Sequence, residues 1–212
     1  MAIDSGELSV DEAVRAARVD ARRRQLLRAA VTVMGKTGFH QMSMQALADE
    51  ANVSVGLIYK YFGNKDEILL ATITTILDAF TDQLQPAIDG AGDDPAAQFA
   101  AGMRRYIEIV DANLDAVMLT YRESRTLDQS GRDLLKDREV ASSEPLRAVL
   151  RRGIADGRFT DVDIDLVVYD VMIVAHAWAL KHWHFAGRYT LNEYIDAQIG
   201  LVMAAILSGS AR

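Results

Sequence analysis

MSMQALADEANVSVGLIYKYFGNK, residues 42–65, is the stretch around which the chain is organised. It reads as two short helices joined by a tight turn. Ser43 is placed to cap a helix over residues 44–51, because a serine hydroxyl accepts an N–H that the first turn leaves unpaired. Ala46, Leu47 and Val53 face inward. Asn52 tolerates the left-handed conformation that lets the chain double back. Ser54 caps a third helix, expected from Val55 to Phe62. Ile58 and Phe62 are four apart and share its buried face. Val55, Gly56, Tyr59 and Lys60 are left on its other faces. Gly56 costs so short a helix stability, which makes sense where something must approach the backbone closely. The run Tyr59-Lys60-Tyr61-Phe62, followed by Lys65, is aromatic and basic for a surface and suits a DNA groove.

Upstream, Leu26, Leu27, Ala30, Val31, Val33 and Met34 repeat at helical spacing, and Gly38 follows as a C-cap. A first helix is expected from about Val14 or Arg18 to Thr37, after a loose tail. Arg22, Arg23, Arg24 and Arg28 crowd what would be its start. Cations there oppose the helix dipole, so a nearby phosphate backbone or simply an Arg-rich tail accounts for them. Downstream, Asn64 caps a fourth helix from about Lys65 to Leu84. Its apolar face is Ile68, Leu69, Thr72, Ile73, Ile76, Leu77 and Phe80, and it is long enough to carry movement from the body to the N-terminal unit.

Gln85 to Pro95 reads as a helix–helix connection between two prolines. Further helices follow from Pro95 to about Asp111, Leu114 to about Arg125, Gly131 to about Asp156 with Pro145 as a kink, Asp163 to Phe185, and Leu191 to Leu207. No strand-like alternation and no internal repeat is visible, so the class is all-α. The last two helices are apolar on more than one face. Surplus apolar surface at the end of so small a chain points to a two-fold subunit interface.

The whole chain carries a net charge of −7, but the charge is unevenly spread. Residues 15–65 hold nine Lys/Arg against three acids, whereas residues 66–212 hold 14 basic and 23 acidic side chains. A basic N-terminal quarter on an acidic body is the asymmetry of a nucleic-acid-binding end, though a solvated helix face has the same composition. There is no cysteine, which excludes disulfides, thiol catalysis and Cys-based metal sites. The acidic N-terminus has no apolar core of a signal peptide, and no apolar run is long enough to span a bilayer. A cytoplasmic protein without membrane contact is expected.

Residues 26–71 resemble the DNA-binding domain of the TetR family of bacterial repressors. The resemblance rests on Gly38-Phe39, on Ser43 with Ala46-Leu47-Ala48, on Val53-Ser54, and on the ordered run Gly56 to Lys65. Ser43 stands where the family often has Thr, and Gly63 where a polar residue is usual. The resemblance implies a chain of about nine helices. An N-terminal three-helix helix-turn-helix domain binds DNA, a larger helical domain binds a small effector, and the last two helices form a homodimer. The expected division is a flexible tail over 1–17, the DNA-binding domain over 18–65, and the effector-binding and dimerisation domain over 66–212. More weakly, Tyr121-Arg122-Glu123, Leu146 to Phe159, Trp178 to Trp183 and Tyr189 to Tyr194 resemble members that sense acyl-CoA or other lipid-derived ligands.

A third helix in the major groove places Ser54, Val55, Gly56 and Leu57 toward base edges. Tyr59, Lys60, Tyr61 and Lys65 would hold phosphates, with Ser43 and Arg22, Arg23 and Arg24 on the flank; Lys60 is also the best candidate for a guanine contact. Tyr59 has a second reading as a core residue with its hydroxyl outward. A dimer implies double-stranded DNA with a palindromic operator. The effector should be apolar, held among Phe99, Met103, Tyr106, Met118, Tyr121, Arg122, Met172, His176 and Trp178, although each taken singly suits ordinary core. Arg125 and Lys181 join Arg122 as partners for an anionic head group. His176, His182 and His184 lack the spacing of a metal site, so no metal and no cofactor is expected. None of the phosphate-loop, nucleophile-elbow or zinc-protease motifs occurs, so no catalytic residue is assigned. Regulation of a multidrug-efflux or catabolic gene set, or a helical interaction module that does not bind DNA, are the competing roles.

Overall fold

The computed structural model describes residues 10–207, which form ten α-helices and one 3-10 turn, with one isolated bridge between Phe159 and Leu207. They divide into two compact units, one ending at Thr72 and the other starting at Ile73.

The first unit holds α1 (Val10–Thr37), α2 (Met44–Ala51), α3 (Val55–Ile58) and the first two turns of α4 (Lys65–Asp89). Its caps are those that the sequence predicts. Ser43 accepts from the Ala46 N–H, Asn52 takes φ 52°, and Ser54 accepts from the Leu57 N–H. Gly38 adopts φ 80° and turns the chain out of α1. The core is Leu26, Leu27, Ala30 and Met34 of α1 against Leu47, Ala48 and Ala51 of α2, closed by Phe39, Ile58, Phe62, Ile68 and Leu69. Ile68 and Leu69 are among the most buried residues of this unit, which is why it ends at Thr72 and not at the expected Lys65 boundary.

Three further expectations are corrected here. α1 starts at Val10, so the part of the expected tail that falls on 10–17 is helical; residues 1–9 lie outside the described residues. Ala13, Ala16, Ala17 and Ala21 favour that extension, since alanine has the best helix propensity. Asp11 and Glu12, not arginines, fill the first turn. Arg22 to Arg28 therefore sit in mid-helix, and the dipole argument does not apply to them. α3 is a single turn to Ile58, and Tyr59 to Phe62 continue it as hydrogen-bonded turns in which Phe62 donates to the Ile58 carbonyl at 3.0 Å.

The second unit comprises the remainder of α4, then α5 (Pro95–Ala112), α6 (Leu114–Glu123), the 3-10 turn Ser124–Thr126, α7 (Gln129–Ala155), α8 (Ile164–Leu180), α9 (His182–Phe185) and α10 (Leu191–Ile206). α5 is its axis and packs on α7, α8 and α10. Phe99, Met103, Tyr106, Ile107 and Val110 of α5 are fully buried, and Tyr106 stacks on Phe80 of α4 at 4.1 Å between ring centroids. α4 does not end at Leu84; it runs through Pro86 to Asp89, which shortens the expected connection to 90–94. Proline there removes the N–H that would bond the Asp82 carbonyl and crowds that carbonyl, a cost confined to the last turn of the helix. The long helix expected over 163–185 breaks at Lys181 into α8 and the single turn α9, which gives ten helices where nine are expected.

Polar latches fix the unit. Trp178 Nε1 donates to Asp111 at 2.7 Å, and Tyr194 Oη donates to the Val174 carbonyl at 2.7 Å. The buried Arg147 donates to Asp165 at 2.6 Å and to the Ser143 hydroxyl, joining α7 to α8. No described helix is long and apolar enough to cross a membrane.

Candidate functional site

In the first unit, the hydroxyl oxygens of Ser43 and Ser54 accept as helix caps, and because both residues are exposed a phosphate could still accept from their O–H groups. Val55 and Leu57 are half-buried, and Gly56 is exposed with nothing within 4 Å of where a Cβ would stand. Tyr59 is 55% exposed, which removes the core reading of that ring. Lys60 is exposed beside it. Lys65 folds back onto its own unit, donating to the His40 carbonyl at 3.2 Å with its ammonium 4.9 Å from the Phe39 ring centroid. A phosphate would have to compete with that contact.

The arginine cluster is drawn toward α3. Arg23 lies over the Phe62 ring at 5.5 Å, and Arg22 donates to Gln25, which in turn donates to the Ala51 carbonyl of α2. Arg24 stays exposed. Arg22 also shares an open groove with Arg15, Arg18, Gln25 and Tyr61. Arg15 belongs to the stretch read as tail and Arg18 stands at the start of the expected domain; their spacing of three and four residues toward Arg22 is the signal that could place all three on one helix face.

In the second unit a cavity of about 460 Å³ opens among α4, α5, α6, α7 and α8. Ile73, Ile76, Leu77 and Phe80 of α4 make one wall, with Val117 and Leu135 opposite. Arg125, Arg132 and Lys136 bring three cations to the lining, and Glu139 one carboxyl. Arg132 donates to the Leu127 carbonyl and to Gln129, and Lys136 to Asp133 at 2.9 Å. Tyr106, Tyr121 and His176 form a polar chain in the lining. Tyr121 Oη is 2.9 Å from His176 Nδ1, and Tyr106 Oη is 3.4 Å from His176 Nε2. Burial pushes the His176 imidazole down to about 4, so it is neutral at pH 7. Burial also raises the Glu139 carboxyl above its ordinary range.

Of the nine expected ligand residues, the cavity brings together Tyr106, Tyr121 and His176. The other six stand elsewhere. Phe99 packs edge-on to Phe159, and Met103 and Met172 are buried in the core. Met118 is exposed, Arg122 pairs with Glu123 at 2.8 Å, and Trp178 packs against Tyr194. Arg125 lines the cavity, whereas Lys181 does not. The three histidines part company: His182 meets the edge of Trp178, and His184 meets Arg188. Sequence reasoning missed the α4 wall and the α7 residues Arg132, Leu135, Lys136 and Glu139. Their spacing over three, one and three residues puts them on one face of α7, but a charged helix face reads as solvated until its neighbours are known.

Two family models match the chain. Bacterial regulatory proteins of the tetR family match residues 26–72, and the tetracyclin repressor-like C-terminal domain matches residues 92–206, more than half the chain. The chain belongs to the TetR family. The TetR-type chain is 34% identical over 194 residues to the HTH-type transcriptional regulator HbdR of Aromatoleum sp. (strain CIB), covering 92% of this chain and 84% of HbdR. Among solved structures, AibR in complex with isovaleryl coenzyme A and operator DNA superposes with a TM-score of 0.72 at 21% identity, covering 85% of this chain and 97% of AibR. FadR from Bacillus subtilis in complex with stearoyl-CoA gives a TM-score of 0.72 at 20% identity, with coverages of 86% and 98%. At these identities the two structures establish a shared fold for the TetR-type chain.

Proposed function

We propose that this chain represses transcription as a homodimer on a palindromic operator and is released by an amphipathic anion of the acyl-CoA class. The observation that carries the reading is the two-sided lining of the cavity. An apolar wall of Ile73, Ile76, Leu77 and Phe80 suits a carbon chain or ring, and Arg125, Arg132 and Lys136 suit the phosphates of a coenzyme A head group. AibR and FadR, which share the fold, were solved with acyl-CoA ligands, and AibR with operator DNA as well.

On the DNA side, the start of α3 with Ser54, Val55, Gly56 and Leu57 reads base edges, and Ser43, Tyr59, Lys60, Tyr61, Lys65 and Arg22 to Arg24 hold phosphates. Phosphate contacts fix register and base contacts give sequence. A bound dimer blocks a promoter without bond-making chemistry, so this role needs no catalytic group. The dimer forms through α8 and α10, where Leu166, Ile173 and Leu201 are 62%, 55% and 67% exposed in the single chain. α4 is one unbroken helix that gives Ile68 and Leu69 to the core of the first unit and its later turns to the cavity wall. A ligand pressing on that wall acts on the helix that also packs in the DNA-binding unit. Release by about 100-fold requires about 2.7 kcal/mol of differential binding between the two states.

The test is a titration of the chain on DNA from upstream of its own gene, at two salt concentrations, with and without a medium-chain acyl-CoA. A regulator of this kind gives a footprint on a palindrome, a steep salt dependence, and release by the acyl-CoA. Binding that ignores sequence would remove the operator reading. A specific footprint unmoved by any acyl-CoA would remove the effector class and leave the operator reading in place.

A further inference from the structure

The polar chain in the cavity has more hydrogens than it can place. A neutral imidazole carries one N–H and one bare nitrogen, and each tyrosine hydroxyl carries one hydrogen. Tyr106, His176 and Tyr121 thus hold three hydrogens, but only two contacts join them, Tyr121 Oη to Nδ1 at 2.9 Å and Tyr106 Oη to Nε2 at 3.4 Å. If Tyr121 donates to Nδ1, then Nε2–H points at Tyr106, and the fully buried Tyr106 hydroxyl has no acceptor for its own hydrogen. If Tyr106 donates to Nε2, then Nδ1–H points at Tyr121 and the surplus hydrogen is on Tyr121. The second arrangement leaves no buried hydrogen unmet, and the exposed Tyr121, which lines the cavity, then presents the spare donor there.

A spare acceptor stands in the same lining. The Glu139 carboxyl is half-buried, its backbone carbonyl serves Ser142 and Ser143, and its side chain has no hydrogen bond or ion pair among the described residues. It is close enough to both tyrosines for its charge to oppose their ionisation. A ligand that covers this donor and the half-buried carboxyl strips both of solvent, so it must satisfy both or bear the cost of leaving them unmet. A ketone oxygen meets only the donor. A hydroxyl group meets both, because it accepts and donates at one atom.

We propose that the cavity selects a ligand whose apolar part carries a hydroxyl group, which accepts the spare tyrosine hydrogen and donates to the Glu139 carboxyl. This rests on the cavity being the effector site. The hydroxyl sets specificity within the acyl-CoA class, and the apolar wall and basic residues supply the remainder of the affinity.

The experiment measures dissociation constants by calorimetry for octanoyl-CoA, for a panel of octanoyl-CoAs each with one hydroxyl along the chain, and for the methyl ether of the tightest of these. At least one hydroxylated ligand should bind about tenfold more tightly than octanoyl-CoA, and its methyl ether should lose that gain. The double variant Tyr106→Phe/Tyr121→Phe should bring the ratio near one, whatever it does to octanoyl-CoA affinity itself, and Glu139→Leu should reduce the ratio. If the double variant does not fold, the wild-type ratios decide. A panel in which no hydroxylated ligand outbinds octanoyl-CoA overturns the proposal, as does a preference that survives in the folded double variant. If neither octanoyl-CoA nor any hydroxylated form binds, the acyl-CoA reading of the cavity falls and this inference falls with it.

Discussion

The Nδ1 atom of His176 lies 2.9 Å from the hydroxyl of Tyr121, and the same imidazole is buried enough to have its pKa lowered from 6.5 to about 4. Between these two values the unfolded chain takes up a proton that the folded chain refuses. Stability therefore falls as pH drops from 6.5 to 4, by an amount approaching about 3 kcal/mol. Glu139 acts in the opposite direction, since its raised pKa favours the folded state as pH falls through its own range. Urea midpoints at pH 7, 5.5 and 4.5 for wild type and for His176→Gln check this. The variant should lose the acid-side slope and gain relative stability at pH 4.5. Parallel slopes in the two proteins would show that His176 is not the group responsible.

Gly56 separates folding from recognition. A Cβ there meets nothing within 4 Å, and its φ is not in the left-handed region. Gly56→Ala should leave the protein as stable or raise its stability by up to about 1 kcal/mol, because alanine is the better helix former. If α3 approaches the bases at this point, operator affinity should fall by about tenfold or more. A thermal melt and a mobility shift on the same preparation give both numbers. Unchanged affinity would place the base contact elsewhere on α3.

Lys60 is exposed in the turn after α3, whereas Lys65 is folded back onto the His40 carbonyl. Lys60→Ala should weaken operator binding without changing the melting temperature or the dimer. If Lys60 holds a phosphate, the slope of log K against log salt falls by about 1; if it holds a guanine, the slope stays and selectivity at one base relaxes. An unaltered affinity would show that it touches neither.

Gly153 is the opposite case to Gly56. A Cβ on Gly153 would stand 2.2 Å from Cδ2 of Phe159, a ring that is 2% exposed and packed edge-on against Phe99. Gly153→Ala should cost about 1–3 kcal/mol in urea denaturation through overpacking. Ligand selectivity should be kept, since neither residue lines the cavity. A loss below about 0.5 kcal/mol would mean that the turn after α7 yields more readily than its packing suggests.

Helices and caps were legible in the sequence because their signals are local. Ser43, Asn52, Ser54, Gly38, Asp94 and Asp163 act on groups two to four residues away, and each takes the role that its type predicts. The cavity was not legible in the same way. Its wall is the second half of the apolar face of α4, which reads the same whether it meets a core or an empty space. Two of its three cations, Arg132 and Lys136, sit on α7 among Asp133, Asp137 and Glu144, a face that reads as solvated. Tyr106, Tyr121 and His176 come from three helices, and only packing brings them together. The extension of α1 was lost for a related reason: residues 11–24 are exposed, so no apolar period marks them as helix.

The exposed apolar residues of α8 and α10 carry the last prediction. Leu166 and Ile173 are seven apart on α8, which puts them on one face, and both are more than half exposed. On α10, Leu201 is 67% exposed beside Gly200, Ala204 and Ala205, small residues that allow a second helix to approach closely. Ile173→Glu with Leu201→Glu should give a monomer by sedimentation, since a carboxylate buried in an apolar interface is costly. Helical content should be retained, because neither side chain is part of the core of its own chain. Operator affinity should fall far more than for Lys60→Ala, because a monomer reaches only one half-site and loses the gain of linked binding. A variant that stays dimeric would move the interface to another face. A monomer with full operator affinity would remove the palindrome from the reading while leaving the cavity untouched.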